Sequence, residues 1–155
     1  MICKQKKINV LYVDDETGNL NAFKAAYRRL YNVYTATTPD EGRKLLKENK
    51  IHVVITDQRM PNEVGSEFLQ SIIEDHPDAI RMLLTGYADL NACIDAVNKG
   101  QIYRYLTKPW DVDQLQSIID KAYQVYKQGQ AEKQKMKKLV EINKQLEFQL
   151  MQSNL

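Results

Sequence analysis

Five short apolar runs alternate with five segments of helical periodicity, and this alternation restricts the fold more than any other feature of the chain. The runs are INVLYV (8–13), NVYTAT (32–37), IHVVIT (51–56), IRMLLT (80–85) and IYRYLT (102–107). Several are almost continuously apolar, as expected of parallel strands covered on both faces. The helical segments fall at 17–30, 39–49, 64–75, 89–99 and 111–127. Thr38 reads as an N-cap with Pro39 in the first turn behind it, and Gly100 as a helix stop. Strand–helix–strand units cross over with one hand, so the helices must cover both faces of a single sheet.

An α/β, flavodoxin-like, doubly wound sheet of five parallel strands in the order 2-1-3-4-5 is therefore predicted. In such sheets ligands bind outside the carboxyl ends of the strands, near the switch point between strands 1 and 3. The length of 155 residues suits one compact domain, placed at 6–127, with an appendage at 128–155. A net charge of +2, from 22 basic and 20 acidic residues, gives no reason to expect a nucleic-acid partner. Cys3 and Cys93 have neither CxxC spacing nor clustered histidines, which argues against zinc. No apolar run approaches the ~20 residues of a membrane span, so a cytoplasmic location is expected and a membrane partner is not.

The appendage is rich in Lys, Gln and Glu. Met136, Leu139, Asn143, Leu146 and Leu150 recur at spacings of three and four. Extended backwards, the frame passes through Glu132, Gly129, Val125, Ala122, Ile118 and Leu115, so the last helix and the appendage share one heptad register. A helical coiled-coil connector is expected, the alternative being a partly disordered amphipathic tail. Asn143 at a core position would favour a specific dimer register.

Chemistry-bearing residues stand at the carboxyl ends of four strands. Strand 1 ends in Asp14, Asp15 and Glu16, strand 3 in Asp57, strand 4 in Thr85-Gly86, and strand 5 in Thr107-Lys108-Pro109. The predicted topology brings them to one edge. Clustered carboxylates repel one another, and a hard divalent cation relieves that repulsion through oxygen ligands. Lys108 could offset charge or hold a phosphoryl oxygen, and Thr85 could donate to the same group. Asp57 then reads as a nucleophile that accepts a phosphoryl group. Each residue alone has a commoner reading as a cap or turn residue.

The motifs VDDE (13–16), DQRMPNEVG (57–65), LTGY (84–87) and YLTKPW (105–110) make residues 6–127 resemble the receiver domain of bacterial two-component response regulators. The resemblance implies the CheY-like form of the fold, and Asp57 as phosphoacceptor. It implies Mg²⁺ or Mn²⁺ held by Asp14, Asp15, Asp57 and the backbone carbonyl of Arg59. Thr85 and Tyr105 match the switch pair, Lys108 the family lysine, and Lys108–Pro109 its usual cis bond. The implied partner is a sensor histidine kinase or phosphotransfer protein. A homodimer is allowed through the face of the fourth helix, fifth strand and fifth helix, or through the C-terminal coil. Tyr103 is expected to pack in its strand. Arg59 and Tyr87 occupy positions that in the family influence phosphoryl hydrolysis, and two large side chains there predict a long-lived phosphorylated state.

Two other readings remain. An aspartyl-phosphate hydrolase would want a second acid two residues beyond Asp57, where this chain has Arg59. A docking or dimerisation module that never takes phosphoryl would not need the intact Asp14, Asp15, Asp57, Thr85 and Lys108 set. An enzyme in the ordinary sense is not expected, and no basic recognition helix is present for DNA.

Overall fold

A computed structural model describes residues 6–86, 89 and 101–154. In chain order the elements are β1 (Asn9–Val13), α1 (Thr17–Tyr27), β2 (Asn32–Ala36), α2 (Pro39–Glu48), β3 (Val53–Asp57), α3 (Gly65–Ser71), β4 (Ile80–Thr85), β5 (Arg104–Thr107) and α4 (Val112–Ser153). The strands form one sheet in the order β2-β1-β3-β4-β5, with every neighbouring pair parallel. The expected topology is observed. The helix predicted over 89–99, its stop at Gly100, and Cys3, Tyr87 and Cys93 lie outside the described residues, Asp89 apart.

Alternation along the strands splits the core in two. Val10, Tyr12, Val53, Ile55, Met82 and Leu84 face α1 and α4, where Phe23, Tyr27, Leu115 and Ile119 close over them. Leu11, Val13, Val54 and Leu83 face the other way, toward Leu46, Phe68, Leu69 and Ile72. All five residues of β3 are buried, which explains its near-continuous apolar composition. Each large side chain buried here contributes roughly 1.5–3 kcal/mol.

Local signals account for most boundaries. Thr38 caps α2 by accepting from the Glu41 amide at 3.2 Å, and the Glu41 carboxylate reaches back to the Thr37 amide at 2.9 Å. The two contacts satisfy free backbone donors at the helix start. Helix α1 closes at Tyr27, whose carbonyl takes the amides of both Leu30 and Tyr31. The third helix is shorter than predicted, ending at Ser71 with turns to Asp75. Pro77 disfavours helical geometry just before it, so the chain has no reason to continue the helix.

The C-terminal segment is one uninterrupted helix of 42 residues that runs straight through Gly129. Asp111 caps it by accepting from the Gln114 amide at 3.2 Å. About its first half is tied to the domain. The Tyr27 hydroxyl donates to the Val112 carbonyl and the Tyr31 hydroxyl to Asp120, each at 2.7 Å. At the base of the sheet, His52 meets the rings of Tyr123 and Tyr126 edge-on. Lys133 pairs with Asp78 just before β4. From residue 131 to 154 every residue is exposed.

The face α4 buries is Leu115, Ile119, Ala122 and Tyr126, whereas Val125 is 40 % exposed. The domain-packed face thus shares only Leu115 and Ala122 with the expected heptad frame. The physical reason is that the sheet takes whichever helix stripe fits its surface, and Val125 belongs instead to the stripe that continues along the free part. Among the described residues no helix is long and apolar enough to cross a membrane.

Candidate functional site

The carboxyl ends of β1, β3, β4 and β5 converge because parallel strands all point the same way. Asp57 is the last residue of β3, opposite Leu84 in the ladder. Asp14 and Asp15 follow β1 directly. Carboxylate oxygens of Asp14, Asp15 and Asp57 all lie within 4.8 Å of one another, Asp15 exposed and the other two buried. Lys108 enters from the end of β5, with Nζ 3.1 Å from Asp57 Oδ1 and 3.4 Å from Asp14 Oδ2. The Lys108–Pro109 peptide bond is cis. Thr85, the last residue of β4, is buried, with its hydroxyl 3.4 Å from the Gly86 carbonyl.

Burial pushes the Asp57 carboxyl above its ordinary value, and the charge on Asp14 adds to the rise, while the bond from Lys108 opposes it. For Lys108 burial works against the charge, but the bond to Asp57 and the charges of Asp57 and Asp14 outweigh it and raise its pKa. The ammonium therefore stays protonated while the acid beside it is held in a setting that favours a counter-ion. Three hard oxygen donors so close together, with one cation already drawn in, fit a small divalent metal.

The loop after Asp57 is shaped tightly. The Gly65 amide donates to the Gln58 carbonyl at 3.0 Å, and the Gln58 side-chain oxygen accepts from the Ser66 amide at 2.9 Å. A Cβ on residue 65 would stand 2.1 Å from the Asp57 carbonyl oxygen, so only glycine fits. Asn62 adopts φ 70°, a left-handed turn conformation that asparagine tolerates. The Arg59 guanidinium forms a two-pronged pair with Asp89, with contacts of 2.7 and 2.8 Å. It leaves the Arg59 side chain 79 % exposed and turned to Asp89.

Tyr105 lies on β5 and is 43 % exposed. Tyr103, expected to pack in its strand, is also 43 % exposed and precedes the strand, its amide bonded to the Arg81 carbonyl. β5 is the edge strand of the sheet, paired with β4.

Two side chains at the site carry no sequence signal of their own. The Tyr12 hydroxyl donates to Asp14 Oδ2 at 2.7 Å, and the Asn19 amide to the same oxygen at 3.0 Å. Tyr12 sits in an apolar strand, where an aromatic reads as core. The available clue is the strand period of two, which puts residues 12 and 14 on one face.

A response regulator receiver domain model matches residues 10–120. The hydrogenase transcriptional regulatory protein HoxA of Bradyrhizobium diazoefficiens is 36 % identical over 118 residues, covering 76 % of this chain and 24 % of that protein. This chain thus spans about a quarter of the length of that curated relative. A response regulator receiver domain protein from Clostridium thermocellum superposes with a TM-score of 0.72 at 33 % identity, covering 77 % of this chain and 97 % of the other. The beryllofluoride-activated NtrC4 receiver domain dimer gives a TM-score of 0.69 at 32 % identity, covering 76 % and 98 %. With this match over most of its length, and with the sheet order and strand-end acids described above, the chain belongs to the response regulator receiver domain family.

Proposed function

We propose that the chain is a phosphoacceptor: Asp57 takes a phosphoryl group from a sensor histidine kinase or phosphotransfer protein in a Mg²⁺- or Mn²⁺-dependent reaction. The observation that carries this reading is the position of Lys108 Nζ, 3.1 Å from Asp57 and 3.4 Å from Asp14, at the mouth of the three-carboxylate cluster. Asp14, Asp15, Asp57 and the backbone carbonyl of Arg59 are the metal-holding groups. When bound, the cation offsets charge on the phosphoryl oxygens.

The protein's own residues divide the remaining work. An Asp57 carboxylate oxygen bonds to phosphorus as the bond from phosphorus to the donor nitrogen breaks, its electron pair staying on the leaving imidazole. Lys108 holds a phosphoryl oxygen. An open recess of about 340 Å³ lined by Asn19, Lys108, Pro109 and Trp110 leaves room for the donor. Thr85 turns its hydroxyl to the new group, and Tyr105 follows it inward from its exposed position. A ligand shifts such an equilibrium only by binding one state better, and the Thr85 contact supplies the difference.

The receiver unit is assigned to 6–127 and a connector to 128–155, in a cytoplasmic signalling protein that does not itself turn over a substrate. A homodimer through the exposed stripe of α4 fits Asn143 at its core position, and one through the receiver face fits the receiver domain dimer in the name of the NtrC4 relative. Intact mass after incubation with Mg²⁺ and acetyl phosphate tests the assignment. One phosphoryl adduct, lost in Asp57→Ala, is expected. An unmodified wild type would instead support a docking module, and steady turnover of phosphoesters a hydrolase.

A further inference from the structure

Among the described residues Asp14 is the most heavily engaged carboxylate. It is 0 % exposed, yet four donors reach it. Oδ1 accepts from the Glu16 amide at 3.0 Å. Oδ2 accepts from the Tyr12 hydroxyl at 2.7 Å, the Asn19 amide at 3.0 Å and the Lys108 ammonium at 3.4 Å. Three of these four contacts crowd Oδ2, and Oδ1 takes one, about half of what a carboxylate oxygen can accept. The shortest of these bonds comes from Tyr12, whose ring is wholly buried and packs at 4.8 Å against Phe23. Strand geometry makes the contact possible, since residues 12 and 14 share a face.

We propose that Tyr12 is a positioning residue for the acidic site: its hydroxyl holds Asp14 back from Lys108, leaving the ammonium for Asp57 and the carboxylate correctly aimed for a divalent cation. The inference rests on the phosphoacceptor reading above. Without the hydroxyl, Oδ2 loses its shortest bond and keeps only Asn19 and the long 3.4 Å contact with Lys108, in a dry environment where a weakly partnered charge is costly. The donor best able to take its place is Lys108, now at 3.4 Å and carrying a full charge, by shortening its contact. Asp14 and Lys108 would then close on each other. Lys108 would draw off Asp57, and Asp14 would turn from the position it shares with Asp15 and Asp57.

Tyr12→Phe deletes one oxygen and keeps the ring against Phe23. Mg²⁺ titrated calorimetrically into the metal-free chain is expected to bind Tyr12→Phe about 10-fold more weakly than wild type, the effect of losing an outer-shell hydrogen bond. Phe23→Leu, which disturbs only the ring packing, should lower thermal stability and leave Mg²⁺ affinity within about twofold. Asn19→Ala removes a donor to the same oxygen from the rim and should weaken binding in the same direction. Tyr12→Phe affinity equal to wild type, or an equal loss in Phe23→Leu, would overturn the inference. A wild type that takes a phosphoryl adduct while Tyr12→Phe binds Mg²⁺ normally sinks this inference alone. A wild type that binds no Mg²⁺ and takes no adduct sinks the phosphoacceptor reading with it.

Discussion

Asp57 is held at a cost. Its pKa is raised in the folded state, first by burial and then by Asp14. A raised carboxyl favours folding below the unfolded value near 3.8 and loses that contribution as pH rises through the folded value. At neutral pH without metal, Asp57→Asn should therefore melt higher than wild type, and the gap should close below about pH 4. Calorimetric scans in a chelator across that range check it. Gly65→Ala puts a methyl against the Asp57 carbonyl and should cost about 3 kcal/mol in urea unfolding, with loss of the phosphoryl adduct. The Arg59–Asp89 pair ties the loop after β3 to residue 89. Breaking it with Arg59→Ala should shorten the phosphorylated half-life severalfold, as followed by mass after removing the donor. Asp14, Asp15, Asp57, Thr85 and Lys108 were legible in the sequence because each stands at a strand end in a fixed order. Tyr12 and Asn19 were not, because a tyrosine in an apolar strand and an asparagine in a first helical turn have commoner roles. Only their distance to Asp14 sets them apart.

Among the elements, α4 is the expected helical extension, continuous from the domain to Ser153. Its continuity through Gly129 was less legible than the strands, since a glycine costs about 1 kcal/mol in a helix and reads as a break. In the free part the frame residues Met136, Leu139, Leu146 and Leu150 are all more than half exposed, on a stretch where every residue is exposed. In the docked part, packing against the sheet buries Ile119 and Tyr126 and partly covers Ile118, while Val125 stays 40 % exposed. An unpartnered helix of this kind is marginal in water. Ellipticity at 222 nm should fall when the chain is diluted from about 100 to about 1 μM, and Leu139→Ala with Leu146→Ala should abolish that dependence.

Across the molecule, the phosphoryl site and the exit of α4 lie at opposite ends of the same strands. At the lower end His52 accepts from the Asn9 amide at 2.9 Å through Nδ1, beneath Tyr123 and Tyr126. Burial, helped by Lys50, lowers its pKa from 6.5. A depressed histidine contributes stability above pH 6.5 that is lost as pH falls through the folded value. Denaturant midpoints should therefore drop between pH 7 and 5, and His52→Gln should flatten that slope.

Beyond the Lys133–Asp78 pair, the rest of α4 stands free for about 30 Å, at 1.5 Å per residue. Mechanically it is a pointer on a short bearing. A tilt of about 10° where Tyr126 and Lys133 seat it would swing the far end by roughly 5 Å, the rise of one helical turn. An adjustment too small to see at Asp57 would thus be large enough at the tip to change which residues of a partner helix it meets.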